Sequence, residues 1–447
     1  MKIWLIDATT YRRSLSPLQI ENKRLYFRIK NYVKNHIVGP HEPPGQKCYS
    51  AGVLRIATIL RHNGYDTEYI PLAEIDKMIE NSERGALPDI VGFGAVTPTV
   101  PVCAHYSSLL KSSKNGIRIV LGGAHAHFAS KTTMAKYPVF DEIVPDCDMV
   151  AAAKIIQSRP KDLSNPPLYI DYKILPEPLH NYCVNLFTSS GCKYHCGHCQ
   201  DGLAVYNEYA LDGGLSEVLV YLKPKTTIHY CDSVLGGSEK RAVEVCKKIS
   251  SIKHNMLLSC DLRSEFISSE LVENLVNAGF VELRMGLLST DRHVLNNINR
   301  GGNPDKILET IKLIRKISKI YISIYITIGL PGSTTDAVDQ LIRLVKHLLE
   351  KRYVDEVKCN LYVPYPNDDN TTSPIGVHIQ NEDWTKYDRQ SYPVYGLSKL
   401  TSDDIWNAFQ KIEGEINISW DKAYELSRSG KIPDTCYPEY IISCYKL

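Results

Sequence analysis

Two hydrophobic periods alternate along the chain. KIWLID (residues 2–7), DTEYIPL (66–72), DIVGFGAV (89–96), IRIVLGG (117–123) and DEIVPD (141–146) are short apolar runs bounded by turn formers, and they predict buried strands. Between them, AGVLRIATILRHNG, VCAHYSSLLKSSKNG and AHAHFASKTTMAKYP carry apolar residues at helical spacing, the first two closed by a glycine. Strands alternating with helices predict a parallel, doubly wound sheet over residues 1–150. Such a sheet binds ligands at the carboxyl ends of its strands, here Gly94 to Thr99 and LGGAHAH (121–127).

Residues 151–180 hold several prolines and little periodicity, which predicts a linker draped over its neighbours. A second alternating series follows over residues 181–363. Its β runs are YCVNLFT, TTIHYC, NMLLSCDL, VELRMGL, IYISIYITIGL and DEVKCNLYV. Helical patterns such as EKRAVEVCKKISSI and TTDAVDQLIRLVKHLLEKR separate them, so six βα units in a partial (β/α)6 barrel are expected, with chemistry at the carboxyl ends of the strands. Beyond 363 the repeat stops. Residues 364–447 are loop-rich and aromatic-rich, carry the capped helix pattern TSDDIWNAFQKIEGEI, and predict a small α+β region or lid.

Composition narrows the function classes only modestly. Over 447 residues, 43% hydrophobic and 23% charged content are those of a soluble globular protein. A net charge of +2 and the absence of a basic stripe with interleaved aromatics argue against a nucleic-acid partner. No run approaches the ~20 apolar residues needed to span a bilayer, and the opening residues do not read as a signal segment, so no membrane partner and a cytoplasmic location are expected. The 13 cysteines change the picture more. Cys48, Cys103, Cys147, Cys183, Cys246 and Cys359 read as small core hydrophobes, and Cys436 and Cys444 as inert thiols.

Only one group is clustered: SSGCKYHCGHCQDG (189–202) places Cys192, Cys196 and Cys199 in a C-x3-C-x2-C pattern just after the first barrel strand. A structural zinc site needs four ligands, usually as two separated pairs; His195 or His198 would have to fold back within one tight loop to complete it. A redox dithiol of Cys196 and Cys199 leaves Cys192 without a role. Three thiolates on a cubane iron–sulfur cluster employ all three cysteines and leave one iron open. On spacing alone, cluster and zinc both stand.

These residues resemble the radical S-adenosylmethionine (SAM) superfamily, from about Val184 to Val363. The resemblance implies a [4Fe-4S] cluster held by Cys192, Cys196 and Cys199, with SAM on the open iron, cleaved by one electron to a 5′-deoxyadenosyl radical. It further implies SAM contacts from Asp232 and Ser233 after the second strand, from Arg263 at the end of the third, and from Ser289 in MGLLST, where Leu288 replaces the family's glutamate. ITIGLPGST resembles the fifth-strand segment beside the adenine, with Gly329 and Gly332 allowing close approach. His198 is expected to pack on SAM or the cluster, and His195 to be solvated; the alternative for Arg263 is a surface salt bridge. An external one-electron reductant of the flavodoxin or ferredoxin type is implied as partner.

A doubly wound domain ahead of such a barrel, with an aromatic tail behind it, resembles the cobalamin-binding radical SAM class. The resemblance places cobalamin against VGFGAVTPTVP and VLGGAHAHF, at Gly94, Thr97, Thr99, Gly122, Gly123 and His125. There is no D-x-H-x-x-G, so neither His125 nor His127 is cast as a cobalt ligand, and PDCD (145–148) replaces the family's acidic segment. A domain that kept the fold and lost the cofactor is the alternative. The class implies methyl transfer to an unactivated centre of a natural-product or peptide substrate. A non-methylating dehydratase, lyase or epimerase on the same scaffold is the second reading, and a zinc-stabilised interaction protein the third. Tyr362, Tyr365, Trp384 and Tyr387 are candidate pocket aromatics, with plain packing as their alternative.

Overall fold

A computed structural model describes residues 1–9, 48–82, 87–145, 153, 156, 170–301, 303–368 and 376–414. Cys147, Cys436, Cys444 and most of the PDCD segment lie outside the described residues. In the first domain the elements run β1 (Lys2–Asp7), α1 (Ala51–His62), β2 (Asp66–Pro71), α2 (Ile75–Glu80), β3 (Ile90–Gly94), α3 (Val100–Ser113), β4 (Arg118–Gly122), α4 (Ala124–Phe128), α5 (Ser130–Lys136) and β5 (Glu142–Ile143). The sheet order is β2-β1-β3-β4-β5, every pair parallel. Strands buried on both faces need apolar side chains throughout, which is why KIWLID and IVGFG are nearly continuous hydrophobic runs. The register sets Asp7, Gly94 and Gly122 side by side, so the strand ends form one edge.

The second domain continues with β6 (Val184–Leu186), the short antiparallel pair β7 (Ser189–Ser190) and β8 (Asn207–Glu208), β9 (Thr227–Tyr230), α6 (Glu239–Ser250), β10 (Leu257–Leu262), α7 (Ser269–Asn277), β11 (Phe280–Leu288), α8 (Arg292–Asn297), α9 (Pro304–Ile317), β12 (Tyr321–Ile328), α10 (Thr335–Glu350) and β13 (Glu356–Leu361). The order β13-β12-β11-β10-β9-β6, parallel throughout, is an open six-stranded barrel. Alternate residues face opposite ways along a strand. One set is buried and mostly apolar: Ile228, Cys260, Leu283, Met285, Ile324, Ile326 and Val357. The intervening set, on the concave face, is polar. No helix among the described residues is long and apolar enough to cross a membrane.

Three expectations change on the fold. The end of the 151–180 segment is no surface drape: Tyr172, Ile174, Leu175 and Leu179 are buried, and Tyr172 meets Tyr49 edge-on at 6.1 Å. Its apolar residues are spaced by prolines rather than by a helix or strand period, so periodicity passes over them. AHAHFASKTTMAKYP divides at Ala129 into α4 and α5, because Asp368 of the C-terminal region caps α5, accepting from the Lys131 and Thr132 amides at 2.8 and 2.9 Å. Cys48 is exposed and Cys183 half-buried, whereas Cys103, Cys246 and Cys359 are core residues as expected.

The C-terminal region holds the antiparallel pair β14 (Val377–Ile379) and β15 (Tyr395–Leu397), then a helix over 402–414. Thr401 and Asp404 cap that helix reciprocally, each side chain accepting from the other's amide, at 2.9 and 3.1 Å. The region bridges both domains. Tyr395 donates to the Gly329 carbonyl at 2.8 Å, and Trp384 packs on His125 with ring centroids 4.8 Å apart.

Candidate functional site at the barrel mouth

The cysteine loop leaves β6 and is pinned on both sides. Below it, the Asp232 carboxylate accepts from the Thr188 amide at 2.7 Å, from the Thr188 hydroxyl, from the Ser189 amide and hydroxyl at 3.2 and 2.9 Å, and from the Gly236 amide at 3.1 Å. A carboxylate offers about four lone-pair sites, so Asp232 is saturated. It organises the start of the loop, its carboxylate oxygens already accepting from protein. Ser233 donates to Asp201 at 2.9 Å, binding the end of β9 to the turn after Cys199. Above the loop, the Gly197 amide donates to the Ile298 carbonyl at 2.7 Å and Asn299 Nδ2 to the His195 carbonyl at 2.9 Å, hanging the loop on the end of α8.

Arg263 sits beside the central thiol. Its Nη1 lies 3.8 Å from Cys196 Sγ, its Nη2 donates to the Arg300 carbonyl at 2.9 Å and to Glu265 at 3.2 Å, and its guanidinium covers the Tyr194 ring at 4.0 Å. It is 8% exposed, so the surface-salt-bridge alternative falls. Burial raises the thiol pKa of Cys192 and pushes Cys199 to about 11; the charge of a nearby Cys196 raises both further. Among the described residues no three His, Cys, Asp or Glu side chains converge as a ready metal-holding group. The three thiols therefore share one loop without closing on a common point.

Three polar atoms at the ends of these elements are buried with no hydrogen-bond partner: His198 Nδ1 in the loop, Arg263 Nε beside Cys196, and Thr290 Oγ1 just past β11. Buried polar groups are otherwise almost always satisfied. Positive charge from Arg263 and Arg300 faces Cys192, and Arg389 of the C-terminal region faces Cys199 and Asp201. Unpaired donors and guanidinium groups around three thiols fit a net-anionic thiolate-bound cluster with a polar ligand beside it. His198 is half-buried in this shell and His195 exposed, its Nδ1 2.6 Å from the Gly202 carbonyl oxygen.

Ser289 is 5% exposed and its hydroxyl accepts from the Asp291 amide at 3.2 Å. Just before it, Leu288 has φ +61° and the Ser289 amide returns to the Leu287 carbonyl at 2.8 Å, a three-residue turn where the β11–β12 register shifts. Thr290, which follows this turn and which the sequence reading passed over, keeps its hydroxyl buried with no hydrogen-bond partner. Gly329 and Gly332 do permit close approach, but to protein: a methyl group on Gly329 would overlap the Tyr395 hydroxyl, and one on Gly332 the Asn297 amide nitrogen.

At the first domain's strand ends the side chains expected to meet cobalamin are hydrogen-bonded within the protein. The His125 ring joins the Thr97 hydroxyl at 2.9 Å and the Thr133 hydroxyl at 2.7 Å, and burial lowers its pKa to about 4. Thr99 Oγ1 donates to the Val96 carbonyl at 2.9 Å and accepts from the Val96 amide. Gly94 abuts Val53 of α1. Gly123, at φ +98°, stacks on the Ala95 backbone, where a methyl group would come within 2.5 Å of the carbonyl oxygen. What stays open to a ligand is backbone: Gly123 and Ala124 are exposed and Gly122 is half-buried with no tight neighbour. A backbone-lined edge of this kind fits the tail of a large planar cofactor through N–H and C=O groups rather than side chains. Trp384, at the Thr97–Thr99 turn, is packing; so is Tyr362, edge-on to Tyr395 at 5.4 Å.

Residues 42–151 match the B12 binding domain family and residues 186–345 the radical SAM superfamily. The chain is 21% identical over 412 residues to an uncharacterized methyltransferase, PH0819, of Pyrococcus horikoshii, covering 84% of this chain and 88% of that protein. It is 23% identical to the ribosomal protein uS12 methylthiotransferase RimO of a Thermoanaerobacter species, over 53% of this chain and 57% of that one. In fold it is similar to TsrM of Kitasatospora setae, a radical SAM methyltransferase solved with cobalamin and a [4Fe-4S] cluster (TM-score 0.54, 14% identity, 81% of this chain, 76% of that one). It is similar also to the cobalamin-dependent SAM radical enzyme OxsB (TM-score 0.54, 14% identity, 99% of this chain, 63% of that one). The three-cysteine loop on a six-stranded parallel barrel, preceded by a five-stranded B12-binding sheet, makes this chain a member of the B12-binding-domain radical SAM enzymes.

Proposed function

We propose that the protein is a cobalamin-dependent radical SAM methyltransferase that modifies an unactivated centre of a natural-product or peptide substrate. The observation that carries this reading is the three-thiol loop with two unpartnered buried atoms beside it, His198 Nδ1 and Arg263 Nε, and a third, Thr290 Oγ1, at the carboxyl end of β11. Cys192, Cys196 and Cys199 would hold the cluster, the backbone of Gly122–Ala124 would face the cobalamin, and SAM would lie within reach of His198, Ser289 and Thr290. When bound, these groups supply the electron that splits SAM and the carrier for the methyl group. The chain's own part is to hold them: Arg263 and Arg300 balance the thiolate charge, and Asp232 fixes the loop's approach through its hydrogen bonds to Thr188 and Ser189. The names of the Pyrococcus methyltransferase and of TsrM support methyl transfer over the dehydratase reading.

Anaerobic reconstitution with iron and sulfide tests the proposal. The expected protein binds about four irons per chain, cleaves SAM to 5′-deoxyadenosine with a flavodoxin-type or chemical reductant, and retains hydroxocobalamin through desalting. Cys196→Ala is expected to reduce SAM cleavage to background. A protein that retains zinc and no iron, or a Cys196→Ala variant with full cleavage, overturns the radical reading; failure to retain corrinoid turns it toward the non-methylating enzymes.

A further inference from the structure

The concave face of the barrel carries a second polar layer, one strand step beneath Arg263. His229 of β9, Asp261 of β10, Arg284 of β11, Tyr325 of β12 and Lys358 of β13 are all half-buried there, while their strand neighbours point into the apolar shell. Asp261 and Arg263 lie two residues apart on one face of β10 and its continuation, roughly 7 Å along the strand. A packed barrel core of branched apolar residues would be the ordinary filling; here every strand from β9 to β13 presents a polar or charged side chain instead.

The charges in this layer pair unevenly. Arg284 is bidentate to Glu282 at 2.9 and 3.1 Å. Lys358 lies 3.4 Å from Glu356 and 3.6 Å from Glu282, and Ser323 donates to Glu356 at 2.8 Å. Those two carboxylates, 4% and 1% exposed, thus form the floor and take the close ion pairs of both permanent cations, while Asp261, opposite Arg284 in the strand register, acts on that guanidinium from further off. Asp261 is the remaining carboxylate and its side chain is the most open of the charged set, at 27%. Its ion-pair partner among the described residues is His229 Nε2 at 3.0 Å. That same nitrogen lies 3.3 Å from Arg284 Nη1, while Nδ1 lies 3.0 Å from Ser259. The two neighbours make opposite demands. With a proton on Nε2 the ring satisfies Asp261 and opposes the Arg284 N–H; without one it accepts from Arg284 and opposes the carboxylate. A donor from outside the layer, bound to Asp261, resolves the conflict.

We propose that this layer is a substrate-binding site for a protonated amine, with Asp261 receiving the ammonium group and Tyr325 beside it. The inference rests on the radical SAM reading only for the word substrate; the binding chemistry stands by itself. Three carboxylates against two permanent cations give the layer a surplus negative charge, which selects an ammonium over a carboxylate of the same size. A ligand held at Asp261 would extend upward past Arg263 toward the cysteine loop.

The test uses n-butylammonium and butyrate as probes on the full reconstituted chain, titrated at neutral pH by ligand-observed NMR. The wild type is expected to bind the ammonium at least tenfold more tightly than butyrate. Asp261→Asn should weaken the ammonium at least tenfold and abolish the preference, with unchanged circular dichroism; Lys358→Met, which removes a competing cation, should bind it as well or better. Equal or tighter binding of butyrate, no binding of either probe, or ammonium binding undiminished in Asp261→Asn overturns the proposal, as does a Lys358→Met variant that loses ammonium binding while folded. If Asp261→Asn does not fold, the wild-type preference and Lys358→Met decide. Absent SAM cleavage with an intact amine preference strikes the radical reading and leaves this site; the reverse strikes the site alone.

Discussion

At the carboxyl ends of β3 and β4, each polar side chain expected to meet a cofactor is bonded to protein: Thr97 to His125, His125 to Thr133, Thr99 to Val96. At the carboxyl ends of the barrel strands, His198, Arg263 and Thr290 each keep a buried atom with no partner. The two mouths are thus built on different principles. The first offers backbone on a rigid, self-satisfied frame and would recognise a cofactor by shape. The second holds unmet hydrogen-bonding demand, which a charged ligand would relieve. Leaving a buried group unsatisfied costs ~1–3 kcal/mol, a cost that a ligand meeting these atoms would recover, whereas Thr97, Thr99 and His125 have no such demand to meet.

That comparison is broken most forcefully at Trp384. It closes the first mouth from the C-terminal region, packing on His125 at 4.8 Å and Tyr137 at 5.6 Å, with Lys136 Nζ 4.6 Å above its ring. Trp384→Ala is expected to cost about 3–5 kcal/mol and to loosen the region from α5, read as a lowered thermal midpoint and faster proteolysis after residue 376. A variant as stable as wild type would mean that the first mouth does not depend on this clasp.

His125 gives the next largest effect. Its pKa falls from an ordinary 6.5 to about 4 because burial disfavours the imidazolium, with the Asp368 carboxylate pulling weakly the other way. The unfolded chain therefore binds the proton more readily. The stabilisation is complete above pH 6.5 and is lost as the pH falls toward 4, by about 3 kcal/mol. Denaturant midpoints for wild type and His125→Asn should converge across this window; parallel curves would place His125 outside the core.

The elements of both sheets and the cysteine loop were legible because each rests on a local signal: apolar runs for KIWLID and IVGFG, a 3.6 period for α10, three thiols at fixed spacing. What stayed hidden depends on partners distant in sequence. Asp232 reads as a free polar residue until Thr188 and Ser189, more than forty positions earlier, are brought to it. Gly329 and Gly332 read as ligand-facing because their conformational freedom is visible locally, whereas Tyr395 and Asn297, which use it, are not. The concave polar layer was equally invisible, since the charges of LSCDL, ELRMGL and EVKCNL come onto one face only when the strands are set in register.

The finest test of the contrast is Arg263→Lys. At the first mouth a conservative change on a satisfied residue would act on stability. At the barrel mouth it should act on the site. Lysine keeps the charge facing Cys192 but loses the planar group that covers Tyr194 at 4.0 Å and forks toward Glu265 and the Arg300 carbonyl. Groups directly behind metal ligands typically affect affinity or activity by about 10–100-fold. Reductive SAM cleavage is expected to fall within that range while the thermal midpoint of the iron-free chain moves little. Arg263→Met, which also removes the charge, should fall further and shift the reduction potential of the reconstituted protein downward, since a cation beside a thiolate-bound cluster favours the more negative, reduced state. Equal cleavage by the lysine and methionine variants would mean that the charge of Arg263 is immaterial, and that only its planar packing on Tyr194 matters.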